Sequence, residues 1–115
     1  MNTLSVNTAI ERLTELNGSD VEIFGELSLE FESNCISHLP RTERLPDSDL
    51  GSYASSIWTR FDLDTIGQRE QWLMQFDGRH VILRGTLYGP EPGYDGCGHF
   101  CLWPAGLVVR AIAKP

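Results

Sequence analysis

Cys97-Gly-His99-Phe-Cys101 places two thiols and an imidazole in one short run. On a strand, alternate residues share a face, so the three could converge on a soft metal ion such as zinc. Cys35 and His38 could complete the set from a neighbouring segment. Zinc sites usually join a closely spaced cysteine pair to a second pair elsewhere, and this spacing fits that pattern loosely. The stronger reading is that Cys97 and Cys101 pack as small hydrophobes while His99 hydrogen-bonds to backbone at a turn.

A second constellation is acidic and aromatic. Glu22, Glu26, Glu30 and Glu32 fall on one face of an alternating segment with Phe24 among them, and Trp58 and Arg60 point outward from another. Aromatic and arginine anchors dominate protein interfaces, and carboxylates steer a basic partner towards them. Phe24, Glu26, Glu30, Trp58 and Arg60 are therefore the candidate partner-binding residues. The alternative is a solvated strand face whose like charges discourage edge-to-edge pairing. Calcium fits poorly, because no loop-type ligand spacing is present. Asp62 and Asp64 read as a strand-end charge and a helix N-cap rather than an acid–base pair. The chain has no phosphate-binding glycine loop, no dinucleotide fingerprint and no nucleophile elbow. The expectation is a non-enzymatic protein with no catalytic residue and no cofactor.

Bulk properties bound these readings. A chain of 115 residues with 41% hydrophobic content suits one globular domain spanning 1–115. A net charge of −7, with Lys114 the single lysine, argues against a phosphate backbone or an anionic membrane as the main contact and favours a basic protein partner. The start, Met1-Asn-Thr-Leu-Ser-Val, lacks the features of a signal peptide, and no apolar run approaches membrane-spanning length. An odd count of three cysteines then points to reduced thiols and a cytoplasmic location.

The elements that must position these residues are written twice. Gly18-Ser-Asp-Val21-Glu-Ile23-Phe-Gly25-Glu-Leu27 matches Gly78-Arg-His-Val81-Ile-Leu83-Arg-Gly85-Thr-Leu87, and upstream Leu13, Leu16 and Asn17 align with Leu73, Phe76 and Asp77. Each copy reads as helix, tight turn and a strand with a central glycine, which marks a bulge, a sharp coil or a close backbone approach. Helices are predicted over 8–16, with Thr8 and Glu11 as a capping box, and over 65–76, opened by Asp64 or Thr65. Strands are predicted over 21–32 (Phe31 inward), 35–39, 56–63, 79–88, 99–103 and 107–112. Residues 40–56 and 89–98 read as loops. A helix between the third and fourth of five Greek-key strands is the OB-fold topology. The expected fold is a mainly β, closed or nearly closed OB-like barrel of five to six strands, with an added N-terminal helix. An open curved sheet carrying both helices on one face is the rival.

Four pieces carry a resemblance: Val21-Glu-Ile-Phe-Gly25-Glu-Leu-Ser-Leu-Glu30-Phe-Glu32, Ser56-Ile-Trp58, Phe76 to Leu87, and Gly98-His99-Phe-Cys-Leu-Trp103-Pro-Ala-Gly-Leu107. Together they resemble a group of small, functionally uncharacterised bacterial proteins with OB-like sheets. The loop 89–98 is longer here, and Cys97 and Cys101 lie outside the shared pattern. The resemblance implies binding more than catalysis. The leading expectation is a module whose acidic, aromatic-bearing face holds a protein partner, most concretely an immunity-type inhibitor of a basic bacterial toxin. The alternatives are a metal-binding protein built on Cys97, His99 and Cys101, and an OB-type domain that holds oligosaccharide or single-stranded nucleic acid in its concave face.

Overall fold

The structure, a computed structural model, describes residues 2–49 and 51–115. Six strands form one sheet: β1 (Thr3–Ser5), β2 (Asp20–Ser28), β3 (Cys35–Ser37), β4 (Ser56–Phe61), β5 (His80–Tyr88) and β6 (Gly106–Ala113). They neighbour one another in the order β1-β2-β3-β4-β6-β5, and β5 also pairs with β2. Strands β2 to β6 therefore close into a barrel, with β1 appended in parallel to β2. Within the barrel only β4 and β6 run parallel. This is the OB-fold order, so the closed alternative holds and the open sheet does not. Among the described residues four short α-helices accompany it: α1 (Val6–Glu11), α2 (Leu13–Leu16), α3 (Leu63–Ile66) and α4 (Glu70–Leu73).

The repeated sequence explains the closure. Its two copies pair with each other, antiparallel, about Ile23 and Leu83: Val21 lies opposite Gly85, and Gly25 opposite Val81. The backbone bonds beyond the strands obey the same pseudo-two-fold. Gly18 N–H donates to Leu87 O (2.7 Å) and Gly78 N–H to Leu27 O (2.8 Å), while Leu87 N–H donates to Ser19 O (3.0 Å) and Leu27 N–H to Arg79 O (2.9 Å). Asn17 Oδ1 accepts from Gly89 N–H at 3.1 Å, and its counterpart Asp77 Oδ1 accepts from Leu29 N–H at 2.9 Å. Each central glycine then admits a third strand. A Cβ on Gly25 would lie 2.6 Å from both Ile36 Cγ1 and Ser37 O in β3, and one on Gly85 would run into the Val108 carbonyl of β6. Beside Gly85 the register slips, since Arg84 faces Ala111 while Gly85 faces Val109, which leaves Arg110 as a bulge.

Alternation sorts the rest. Val21, Ile23, Leu27, Val81, Leu83, Leu87, Leu107 and Val109 point into the barrel and are buried, joined by Val6 and Ala9 of α1 and by Leu73 and Phe76 from the second helical region. No helix among the described residues is long and apolar enough to cross a membrane.

Several boundaries differ from expectation. The first helix begins at Val6, because Ser5 Oγ rather than Thr8 caps it, accepting from Thr8 N–H at 3.1 Å. It breaks at Arg12 into α1 and α2, so 8–16 is not one helix. Residues 65–76 are likewise divided into α3, α4 and a 3-10 turn over Met74–Phe76; Gly67, at φ 75°, ends α3, and Asp62 caps it through Thr65 N–H (3.2 Å). The first long strand stops at Ser28 rather than residue 32. Strand 35–39 shortens to β3, and 56–63 to β4. Residues 99–103 are no strand: His99–Cys101 form a 3-10 turn in which Phe100 and Cys101 both have φ 56°. The six-strand count is reached through β1, a three-residue strand that the sequence pattern had not marked.

Candidate functional site

Three loops gather beside the outer face of β2, β3 and β4. The shortest, 29–34, leaves β2 where Asp77 takes the Leu29 N–H. A turn follows, with Ser33 N–H donating to Glu30 O at 3.0 Å and Glu32 at φ 56°. Phe31 sits on this turn and is 92% exposed. It was expected to face inward. The alternation Leu27, Leu29, Phe31 continues in sequence, but the backbone reverses before Phe31 can reach the core.

The loop 89–105 is closed by a small ribbon. Cys97 and Trp103 pair both ways, with N–H to O distances of 2.7 Å and 3.2 Å, and between them the chain turns through Gly98 (φ 76°) and the 3-10 turn. Phe100 is displayed at 79% exposure. Two contacts hold the loop in place. Trp103, 2% exposed, stacks between Tyr53 (ring centroids 4.8 Å) and Trp58 (4.9 Å). At the tip, His99 Nε2 lies 3.1 Å from Glu32 Oε2, which joins the two phenylalanine-bearing loops.

The third segment, 38–55, is long but tied down. Arg41 Nη2 donates to Glu26 Oε2 at 2.9 Å, Arg44 Nη2 to the same oxygen at 3.4 Å, and Arg44 Nε to His38 O at 2.7 Å. The buried His38 ring accepts Asn7 N–H on Nδ1 at 3.1 Å, so Nε2 carries the hydrogen and faces Glu43 Oε1 at 3.3 Å. Between this segment and the outer faces of β2, β3 and β4 runs a cleft of about 370 Å³ that includes Glu26, Glu30, Cys35, Asp47, Tyr53 and Trp103 in its lining. An OB-fold barrel binds its ligands on this region and its flanking loops.

The proposed interface residues are thus separated. Glu26 and Glu30 line the cleft, and Trp58 lies beneath it, its indole covered by Gly98 and Trp103. Phe24 turns instead to the outer face of β5, edge-on to His80 at 6.3 Å. Arg60 is exposed on β4 opposite Val108. The acidic ribbon is also less free than the sequence implies. Glu22 is held below the ordinary carboxylate range by Thr3 and then Arg84, and Glu26 by Arg41 with help from Arg44. Glu30, by contrast, has no ion-pair partner within 4.0 Å among the described residues.

The cysteine–histidine cluster does not converge. On a 3-10 turn alternate residues no longer share a face, and His99 is directed at Glu32. No three His, Cys, Asp or Glu side chains among the described residues are grouped to hold a metal. Cys35, Cys97 and Cys101 are free thiols; burial pushes Cys97 up to about 11 and raises Cys35 as well, which makes both poor nucleophiles at neutral pH.

Phe31 and Phe100 were not among the candidate interface residues. The available signal was local: an aromatic between two glutamates just before Ser33-Asn34, and another inside a glycine-rich stretch. No protein-family model matches this chain, and no curated protein does either.

Proposed function

We propose that this protein is a non-enzymatic binding module that holds a basic protein partner at the loops beside the outer face of its barrel. One observation carries the reading: two phenylalanines, 92% and 79% exposed, stand on adjacent loops joined by the Glu32–His99 contact. Exposed apolar side chains point to an interaction site when they stand on adjoining segments rather than singly, and the positive φ at Glu32, Phe100 and Cys101 is the kind of local strain that clusters at such sites. Glu30 and Glu32 flank Phe31, and Glu91 and Asp95 are exposed on the second loop, a negative balance suited to a positively charged surface. An immunity-type inhibitor of a basic toxin is the most concrete form of this reading, in keeping with the group of bacterial proteins that the sequence resembles. Single-stranded nucleic acid suits the site poorly: Glu26, Glu30 and Asp47 line the cleft against one cation, Arg44.

Affinity capture with wild type and Phe31→Ala/Phe100→Ala, from cells that encode the protein, tests it. The double variant is expected to keep its circular dichroism and urea midpoint, because the side chains removed are almost fully solvated. It is expected to bind the captured partner at least about thirty-fold more weakly, as the loss of a buried aromatic anchor does. Equal capture by both proteins refutes the reading.

A further inference from the structure

We propose that the cleft beside Phe31 receives an arginine of the partner, the guanidinium lying against Tyr53 between Glu30 and Asp47. This rests on the partner-binding reading above and names the chemistry the partner must present.

Three independent features favour an arginine. The first is charge. Glu26 is already committed to Arg41 and Arg44, whereas Glu30 and Asp47 have no cation within 4.0 Å among the described residues. Asp47 is nevertheless positioned, since its Oδ1 accepts Ala54 N–H at 3.3 Å. The second is the aromatic wall. Tyr53 is fixed by its stack on Trp103 and by donating its N–H to Leu102 O at 2.8 Å, and it lines the cleft while remaining partly exposed. A planar guanidinium stacks on such a ring and can pair with a carboxylate at the same time, which an ammonium does less well. The third is a poorly satisfied donor. Trp103 is 2% exposed and lines the cleft, and its indole N–H has no oxygen or nitrogen acceptor, only the Cys35 sulfur as a weak partner. A carbonyl oxygen serves a buried N–H better than a thiol does, and a partner's peptide group carried in with the arginine supplies one. The volume of about 370 Å³ falls within the range of such sites and takes one long side chain with its peptide group.

The probe is the tripeptide Ac-Gly-Arg-Gly-NH2, titrated into 15N-labelled protein and followed by NMR, with the citrulline peptide as a neutral isostere. The arginine peptide is expected to move the Trp103 indole N–H and the amides of Glu30, Asp47 and Tyr53 saturably. The citrulline peptide is expected to bind at least about tenfold more weakly, and Glu30→Gln/Asp47→Asn to abolish that discrimination. Both substituted carboxylates are exposed, so the variant folds as wild type. Equal binding of the two peptides, or no saturable shift at these residues, overturns the proposal. The tripeptide is too short to engage both loop tips, so Phe31→Ala/Phe100→Ala must leave its binding unchanged. Failure of the tripeptide with partner capture still dependent on Phe31 and Phe100 sinks this inference alone. Binding of the tripeptide with capture indifferent to them sinks the partner-binding reading and leaves an arginine site.

Discussion

Gly85→Ala isolates the closure of the barrel from every other feature of the fold. The glycine is not in the left-handed region, so a methyl there costs nothing in backbone conformation. It does collide with the Val108 carbonyl and the Val109 Cα, which belong to the backbone of β6 and cannot rotate away. Ordinary contact between carbon atoms needs about 3.5 Å, so β6 must back off where Gly85–Val109 and Thr86–Val108 pair. The cost is an overpacking term of about 2 kcal/mol and about two ladder hydrogen bonds at roughly 1 kcal/mol each. Against this stands a gain of about 0.5 kcal/mol from the stiffer unfolded chain. The net loss is about 3–4 kcal/mol, a large share of the roughly 5–15 kcal/mol that holds a domain together. Gly25→Ala is expected to cost less, about 2 kcal/mol, because one of its two nearest atoms is the movable Ile36 Cγ1. Gly18→Ala meets no atom within 4 Å and carries only the left-handed penalty at φ 84°, about 1 kcal/mol. Urea unfolding of the three variants reads these differences from the midpoints at constant slope. A Gly85→Ala midpoint above that of Gly18→Ala refutes the claim that these glycines exist to let β3 and β6 approach.

The pseudo-two-fold gives a second comparison. Asp77→Ala strips the acceptor from the N–H of Leu29, a residue 7% exposed, and is expected to cost about 1–3 kcal/mol, whereas Asn17→Ala frees the N–H of the more exposed Gly89, which water can reach, and costs under about 1 kcal/mol in the same unfolding assay; the reverse order refutes the burial argument. Glu26 gives a pH dependence. Its folded-state pKa is depressed, so its contribution is complete above the unfolded value of about 4.3 and is lost as pH falls through the folded value. The stability gap between wild type and Glu26→Gln is therefore expected to be flat from pH 7 to about 5 and to shrink below about 4, and a gap that widens on acidification refutes the pairing with Arg41 and Arg44.

The barrel was legible because its instructions are local and duplicated: alternation about Ile23 and Leu83, and a glycine in each copy. The three loops were not, because their determinants act across the chain. Strand β2 ends where Asp77, far away in sequence, takes the Leu29 N–H, and no pattern near Leu29 records that. Residues 29–32 keep alternating beyond that point, so Phe31 reads as core while standing in solvent. His99 to Trp103 alternates like a strand too. Only the pairing of Cys97 with Trp103, and the wedging of Trp103 between Tyr53 and Trp58, forces the left-handed turn that presents Phe100. Strand β1, three residues long, exists through its register against Glu22, Ile23 and Phe24 rather than through its own composition. The helix starts failed for a smaller reason: Ser5 and Asp62 each precede an equally plausible cap by a few residues, and the choice between them depends on where the adjoining strand ends.

Charge links fold to function most directly. Four of the eight arginines pair with carboxylates on the barrel strands and at their ends: Arg84 with Glu22, Arg41 and Arg44 with Glu26, and Arg110 near Asp20 and Asp62. Those pairings leave much of the negative surplus of a −7 chain on the three loops, at Glu30, Glu32, Asp47, Glu91 and Asp95. Two of these loops carry Phe31 and Phe100. Glu30 and Glu32 flank the exposed Phe31 in sequence, so part of that negative charge stands next to an apolar side chain in solvent. On the partner-binding reading proposed above, the negative field would govern the rate of encounter with a basic surface, and burial of the two rings the lifetime of the complex.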